Sequence, residues 1–164
     1  MEKESKIAKG LKKKEIVRAR QSKRTVVPIK GDLLQQEVEV IVNSVGEDLK
    51  YGFGGAIGKA IVKACGEGVS KEAISEAEAV YGSAQVKVGD FVSTSAGNSD
   101  KHKYILHCVC PEWESKDCET VLKDLIKKVF HFCDKVKVES IAVPPMSSGV
   151  LRFPVRNCVK AFFN

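Results

Sequence analysis

Two loops rich in glycine and serine contain the residue types best suited to binding chemistry in this sequence. The first includes Gly54–Ile57 and the second includes Ser147–Val150, and each lies between a predicted strand and a predicted helix. Glycine lets backbone N–H groups approach a ligand closely, and the N-terminus of the following helix adds about half a positive charge. Successive N–H groups can also form a concave anion site. Together, the two loops predict a diphosphate held between them.

A carboxylate near the start of the chain adds a second kind of recognition. Asp32 directly follows the first predicted strand, at its carboxyl end. The residue suits a turn or a cap, and it equally suits an acceptor for an exocyclic amine such as that of adenine. An adenine acceptor and a diphosphate site would together select a ligand that contains ADP. Neither loop matches the motif G-x-x-x-x-G-K-[ST], or the motif G-x-G-x-x-G with its downstream acidic residue.

The cysteines and histidines do not have the spacing of a metal site. The six cysteines form no C-x-x-C pair, and His102, His107 and His131 have no zinc-ligand spacing beside them. Most of the cysteines lie in apolar runs, which predicts reduced thiols in a protein core. We therefore expect no metal ion and no cofactor beyond the bound ligand. The cysteines are Cys65, Cys108, Cys110, Cys118, Cys133 and Cys158.

Positive charge is concentrated in the first 24 residues of the chain. This segment contains ten Lys or Arg and three Glu, whereas the rest of the chain is close to neutral. Residues 1–24 are predicted to be a flexible basic arm or a linker from a longer chain, and a nuclear-import signal or a weak nucleic-acid contact is the alternative. No apolar run approaches the ~18 residues that a membrane-spanning helix needs. We expect an intracellular protein, in the nucleus or the cytoplasm, with no membrane contact.

Strand and helix signals alternate from residue 25 onward. Such alternation predicts an α/β fold, a three-layer α/β/α sandwich with a mixed sheet. Ligands bind outside the carboxyl ends of the strands in such sheets, which is where both loops would lie. Predicted strands are Thr25–Lys30, Val38–Val42, Val86–Val92, Tyr104–Val109 and Ser140–Val143, and predicted helices are one with Ile57, Ile61 and Ala64 on one face that ends at Gly66, one over Val69–Ala79, one around Leu122–Phe130, and one from Val155.

Five motifs, taken in their order and spacing, resemble the macrodomain family. The resemblance covers about Val26 to Phe163, and Asn43–Leu49 and Tyr104–Trp113 are most similar to the tandem macrodomains of the large mono-ADP-ribosyltransferases. The family continues with a final strand and helix, so residues 25–164 are predicted to be a macrodomain that lacks these elements. The motifs are Gly31–Leu33, Val38–Asn43, Gly54–Gly55, Tyr104–His107 with Pro111, and Ile141–Gly149 with Phe153–Pro154.

The resemblance implies a binding site for ADP-ribose, and ADP-ribosylated proteins as partners. Asp32 would accept the adenine amine, and the backbone of Leu33 would lie beside the same ring. Asn43 would help to hold the loops. The residues implied to wrap the diphosphate and the distal ribose are Gly54, Gly55, Ala56 and Ile57, and those implied to hold the diphosphate from the other side are Ser147, Ser148, Gly149, Val150 and Leu151.

Two departures from the family indicate binding without hydrolysis. The family has an asparagine that contacts the distal ribose where this chain has Gly46, and its hydrolytic members have an aspartate after the glycine-rich loop, where positions 55–58 here are Gly, Ala, Ile and Gly. Hydrolysis needs a base or a group that positions water. Glu47 and Asp48 are nearby carboxylates, expected to be solvated loop residues. The alternatives are a hydrolase of the same fold, or a nucleic-acid or scaffold module that uses the basic arm and has a vestigial pocket.

Overall fold

The computed structural model describes residues 25–146 and 151–163, and the chain divides into two compact units, Met1–Asp32 and Leu33–Asn164. In the first unit, residues 25–32 form no regular element, so the predicted strand Thr25–Lys30 is wrong. Pro28 has no N–H to give to a strand partner, and Ile29 is exposed, so this apolar run does not form a buried face. The predicted basic arm, residues 1–24, lies outside the described residues.

A mixed four-stranded sheet forms the centre of the second unit. Its strands are β1 (Val40–Val45), β2 (Phe91–Ser95), β3 (Tyr104–Val109) and β4 (Ile141–Ala142), in the order β2-β3-β1-β4. Strand β1 is parallel to β3 and β4, whereas β2 is antiparallel to β3. Parallel strands bring their carboxyl ends to one edge, so the loops that follow β1, β3 and β4 start at the same edge of the sheet.

Helices cover both faces of this sheet, which confirms the predicted three layers. They are α1 (Ala56–Cys65), α2 (Gly68–Tyr81), α3 (Cys118–Lys135) and α4 (Val155–Ala161). Side chains alternate across β1: Val40 and Val42 pack in one cluster with α3 and α4, whereas Ile41 packs in another with α1. The same alternation in β3 gives each face of the sheet its own apolar core. None of the described helices is long and apolar enough to cross a membrane.

Several predicted boundaries shift for identifiable reasons. The alternating run Val86–Val92 is a strand only from Phe91, because Lys87–Asp90 forms a turn in which the Asp90 N–H donates to the Lys87 carbonyl at 3.0 Å. Gly89 takes a φ of +90° in this turn, and Val86 is still buried beside α2. Because Val86 is buried just before the turn, the sequence alternates as a strand would although the strand begins only at Phe91. Gly66, with a φ of +95°, ends α1 as predicted.

Each of the six cysteines is buried, as the sequence predicted. Burial raises the pKa of the Cys65 thiol and raises that of Cys158 to about 11. A thiol with a raised pKa is a poor nucleophile because the thiolate is the reactive form. Among the described residues no group of His, Cys, Asp and Glu could hold a metal ion. These side chains therefore serve as small apolar residues of the core.

Two side chains of α2 cap the outward-facing backbone of β2, the strand at one end of the sheet. The Glu72 carboxylate accepts the N–H of Ser95 at 2.8 Å and its hydroxyl at 2.7 Å. The Tyr81 hydroxyl donates to the Phe91 carbonyl at 2.9 Å. Edge strands expose unpaired backbone groups that attract other strands. Both ends of this edge are occupied by the protein's own side chains.

Candidate functional site

The loop between β1 and α1 is held at its start by the segment that follows α2. The Leu49 N–H donates to the Ala84 carbonyl at 3.1 Å, and the Val86 N–H donates to the Glu47 carbonyl at 2.8 Å. Between these bonds, Asp48 forms an antiparallel bridge with Gln85. Residues 47–49 are therefore fixed by backbone bonds to a distant part of the chain.

Two glycines of this loop are required by close packing of the backbone. A Cβ at Gly52 would lie 3.0 Å from the backbone nitrogen and oxygen of Gly46 and 3.1 Å from the Asp48 carbonyl. A Cβ at Gly58, in the first turns of α1, would lie 2.8 Å from the Phe53 carbonyl oxygen. Real Cβ atoms essentially never approach backbone as closely as 2.8 Å, so α1 packs on the loop only with glycine at position 58. The contacts at Gly52 are tighter than most real Cβ contacts, so a side chain there would force the loop backbone to shift.

Gly54 and Gly55 have no such internal reason to be glycine. A Cβ at Gly55 would meet nothing within 4 Å, and one at Gly54 would lie at an ordinary 3.5 Å from the Tyr51 carbonyl. Gly55 has φ −73° and ψ 168°, which any residue adopts, and both glycines are exposed. Bare backbone that faces open space is what the close approach of a ligand requires.

The N-terminus of α1 lies directly behind these two glycines. Gly55 caps the helix, no acidic side chain occupies its first turn, and Ala56 is exposed. The first N–H groups of a helix have no partner within it and attract negative charge. Ile57 anchors this turn from below, because its side chain packs in the cluster that contains Ile61 and Ile41. This arrangement can hold an anionic group at residues 54–57.

A buried chain of polar side chains crosses the sheet beneath the loop. Asn43 and His107 are opposite each other in β1 and β3, and the Asn43 Nδ2 donates to the His107 Nδ1 at 3.1 Å. The Thr94 hydroxyl donates to the Ser95 carbonyl at 2.8 Å, so its oxygen accepts the His107 Nε2–H at 2.9 Å. Burial lowers the pKa of His107 to about 3, and the imidazole is neutral at physiological pH.

Phe53 connects this polar chain to the glycine-rich loop. Its ring packs on the His107 imidazole with the ring centroids 5.0 Å apart. The backbone of Phe53 packs against Gly58. The Asn43 Oδ1 is buried and has no hydrogen-bond partner among the described residues. The side chain of Asn43, which has no exposed surface, is thus linked to Phe53 of the loop through His107.

The sequence prediction missed His107 and Phe53 as residues that position the site. A histidine inside the apolar run Tyr104–Val109 and an aromatic residue inside a glycine-rich loop were the available signals. Neither signal by itself indicates that the two side chains are in contact, because 54 residues separate them in the chain. Only the fold brings them together.

The second predicted loop is described only at its end. Ser147–Val150 lie outside the described residues. Leu151 is half-buried, and its carbonyl accepts the Trp113 N–H at 2.9 Å. Trp113 also packs edge-on against the buried Phe153, with the ring centroids 4.9 Å apart. The segment that follows β3 thus holds the C-terminal end of this loop.

The two remaining predicted residues lie in different compact units. Asp32 is exposed and ends the first unit, whereas Leu33 begins the second. Leu33 starts a short 3-10 turn, Leu33–Gln35, and its half-buried side chain packs in the cluster that contains Ile61 of α1. The adenine contacts that the resemblance implies for Asp32 and Leu33 stay predictions.

Of the two carboxylates nearest the glycine-rich loop, that of Asp48 is held by the loop itself. The Asp48 Oδ1 accepts the Lys50 N–H at 3.1 Å, which closes a tight turn. Glu47 is exposed, and its carbonyl is paired with Val86. The Asp48 carboxylate therefore stabilises this turn.

Replacing Gly58 with alanine tests the contact between α1 and the loop. Overpacking costs about 1–3 kcal/mol, which exceeds the roughly 1 kcal/mol that alanine gains over glycine in a helix. We expect Gly58→Ala to lower the free energy of unfolding by about 1 kcal/mol in urea denaturation. Gly68→Ala, at the open first position of α2, is the control and keeps or raises stability. A Gly58→Ala protein more stable than wild type would contradict the packing described.

A family model for the macro domain matches residues 42–162 of this chain. The chain belongs to the macrodomain family. The match includes most of β1, the glycine-rich loop, all four helices and the second loop. It therefore covers every residue of the candidate site in the second unit except Leu33.

Macrodomains from distant organisms are similar to this chain. An uncharacterised protein of Thermotoga maritima is 34% identical over 82% of the chain and 22% of its own length. The human mono-ADP-ribosyltransferase PARP14 is 32% identical over 79% of the chain and 7% of its own length. An asparagine-to-alanine mutant of the Oceanobacillus iheyensis macrodomain superposes with a TM-score of 0.72 at 25% identity, over 80% of this chain and 66% of that one. The chain thus spans about two thirds or less of each, and the human protein, at 32% identity, is one of several relatives of comparable similarity.

Proposed function

We propose that this macrodomain binds ADP-ribose, free or attached to protein, without hydrolysing it. The observation that carries the proposal is the exposed backbone of Gly54 and Gly55 at the N-terminus of α1, where a Cβ at Gly55 would meet open space and one at Gly54 only an ordinary contact. Relatives support the choice of ligand: the O. iheyensis macrodomain has been solved with ADP, and a glycine-to-valine mutant of it with ADPR.

The proposed ligand lies along the edge where the parallel strands end. Residues 54–57 lie along the diphosphate and the distal ribose, and the backbone N–H groups of Gly55, Ala56 and Ile57 hold the anionic group. Residues 147–151 hold the diphosphate from the other side, and Asp32 accepts the adenine amine. The anchored loop supports this arrangement, because Gly52 and Phe53 fix the backbone that carries Gly54. A fixed loop loses little conformational freedom on binding, which favours affinity.

The absence of turnover that we propose is supported by the residues around the loop. Position 46 is glycine, positions 55–58 carry no carboxylate, and the Asp48 carboxylate is engaged by the Lys50 N–H. Glu47 is the remaining carboxylate, and as an exposed residue it is expected to be solvated, so we propose that no base from this loop acts on a water molecule at the distal ribose. We propose a recognition module of the kind found in the large mono-ADP-ribosyltransferases, acting in the nucleus or the cytoplasm on ADP-ribosylated proteins.

Calorimetric titration of ADP-ribose, with AMP as the comparison, tests the proposal. We expect binding that clearly favours ADP-ribose, and a loss of about tenfold or more in Asp32→Ala, because a hydrogen bond to a charged group contributes about 1.5–3 kcal/mol. Asp124→Ala removes an exposed carboxylate from α3 and is the matched control. No binding to a folded sample would overturn the proposed function, and full affinity in Asp32→Ala would overturn the adenine contact.

Turnover is measured separately, on a mono-ADP-ribosylated peptide. The peptide is incubated with the 164-residue chain, and free ADP-ribose is followed over time. We expect no release above the rate without protein. Release that is lost in Gly55→Glu would show that the same site hydrolyses its ligand.

A further inference from the structure

Tyr51 has the most exposed large apolar side chain in the described part of the chain. Its exposed fraction is 81%, above the 59% of Val80 and the 57% of Phe163. Tyrosine combines a large apolar ring with a hydroxyl, and it is enriched where one protein contacts another. This ring projects from the glycine-rich loop, three residues before Gly54.

The backbone of Tyr51 is held in place on both sides. Its N–H donates to the Asp48 carbonyl at 3.1 Å, and its own carbonyl accepts the Gly54 N–H at 3.3 Å. Gly52, the next residue, is locked against Gly46 and Asp48. A ring on a fixed backbone is presented to solvent at a defined place, and such preorganisation favours binding.

Tyr51 lies beside the bare glycine backbone that we assign to the diphosphate and the distal ribose. Its carbonyl oxygen is the atom nearest to a Cβ built on Gly54, at 3.5 Å. In ADP-ribosylated protein, the polypeptide is joined to the distal ribose, so it leaves the site at this end of the ligand. An exposed ring here is within reach of the attached chain.

We propose that Tyr51 is a specificity-determining residue that contacts the polypeptide to which ADP-ribose is attached. This inference rests on the proposed function. The ring packs on the peptide beside the modified side chain, and the hydroxyl is available to peptide carbonyls. The domain therefore binds protein-linked ADP-ribose more tightly than free ADP-ribose, and the difference depends on one side chain.

The test compares two ligands across three variants of the full chain. The ligands are free ADP-ribose and a peptide with one mono-ADP-ribosylated side chain. We expect wild type to prefer the peptide by about tenfold, the contribution of one well-placed aromatic contact. Tyr51→Ala loses this preference and keeps its affinity for free ADP-ribose within about twofold. Tyr51→Phe retains most of the preference, and Val80→Ala, which trims another exposed apolar side chain, behaves as wild type.

The outcomes separate this inference from the function on which it rests. If wild type binds neither ligand, the proposed function itself fails. If wild type binds both ligands equally, or if Tyr51→Ala keeps the preference, the polypeptide contact is wrong. If Tyr51→Ala weakens both ligands alike, the ring contacts ADP-ribose itself, and the inference is also overturned. Thermal unfolding of each variant confirms that the comparison is made on folded protein.

Discussion

Gly55→Glu is expected to weaken ADP-ribose binding about a hundredfold while the domain stays folded. A side chain at Gly55 meets nothing within 4 Å, and its backbone angles suit any residue. The new carboxylate would lie on the surface assigned to the diphosphate. Two like charges about 6 Å apart repel by about 3 kcal/mol at an effective dielectric constant of about 20, which corresponds to roughly two powers of ten in affinity. Calorimetry at low salt measures the loss, and added salt reduces it.

Gly68→Glu is the matched control for this substitution. Gly68 is exposed at the first position of α2, and a side chain there also meets nothing within 4 Å. The control thus places the same charge at the start of a different helix, where a carboxylate is favourable for the fold. We expect it to bind ADP-ribose as wild type does. Equal affinity in Gly55→Glu and Gly68→Glu would show that the glycine-rich loop is not part of the binding site.

Acid sensitivity that depends on His107 is the second large effect that we expect. Its pKa falls from an ordinary 6.5 to about 3 in the folded protein because the ring is buried. As the pH falls below 6.5, the unfolded chain takes up this proton first, so the folded state loses stability down to about pH 3. Above pH 6.5 neither state binds this proton, so the full contribution of the neutral ring to the free energy of unfolding is present. One such group accounts for a slope of about 1.4 kcal/mol per pH unit inside this window.

His107→Gln isolates this slope, because glutamine is polar and does not titrate. Urea denaturation at several pH values between about 4 and 7 gives the free energy of unfolding of each protein. We expect the variant to be less stable at pH 7, since it loses the ring contact with Phe53. Over the acid range its free energy of unfolding should depend less steeply on pH, by the equivalent of about one proton. His131→Gln, an exposed position on α3, keeps the wild-type slope. Parallel curves for His107→Gln and wild type would mean that His107 takes up its proton at the same pH in the folded and unfolded states, and so would contradict the lowered pKa.

Much of the fold was predictable because periodic burial leaves a trace in the sequence. Strand β3 occupies the predicted residues, and α2 and α3 extend their predictions by a few residues at each end. The failures have local causes. Thr25–Lys30 has strand composition, yet Pro28 cannot join a backbone ladder. In Val86–Val92 a turn at Gly89 interrupts an alternation that composition alone shows as continuous.

The sequence was enough to name candidate residues for the site, but not the contacts that hold them in place. Glycines between a strand and a helix indicated an anion site, but Gly52, Gly54 and Gly55 looked alike in the sequence. The structure separates Gly52, which packs against the loop itself, from Gly54 and Gly55, which face open space. That distinction depends on tertiary contacts at the ångström scale. The pairing of Asn43 with His107 depends on the register between β1 and β3, which a single sequence does not specify.

The capped edge of the sheet determines how copies of this domain can coexist. Strand polar groups alternate in direction, so Glu72 and Tyr81 leave only the backbone of Ser93 open in the middle of β2. An incoming strand would have to break three hydrogen bonds of the protein before it could pair along the full length of β2. Copies of this domain can therefore lie side by side at high local concentration without pairing their sheets across this edge.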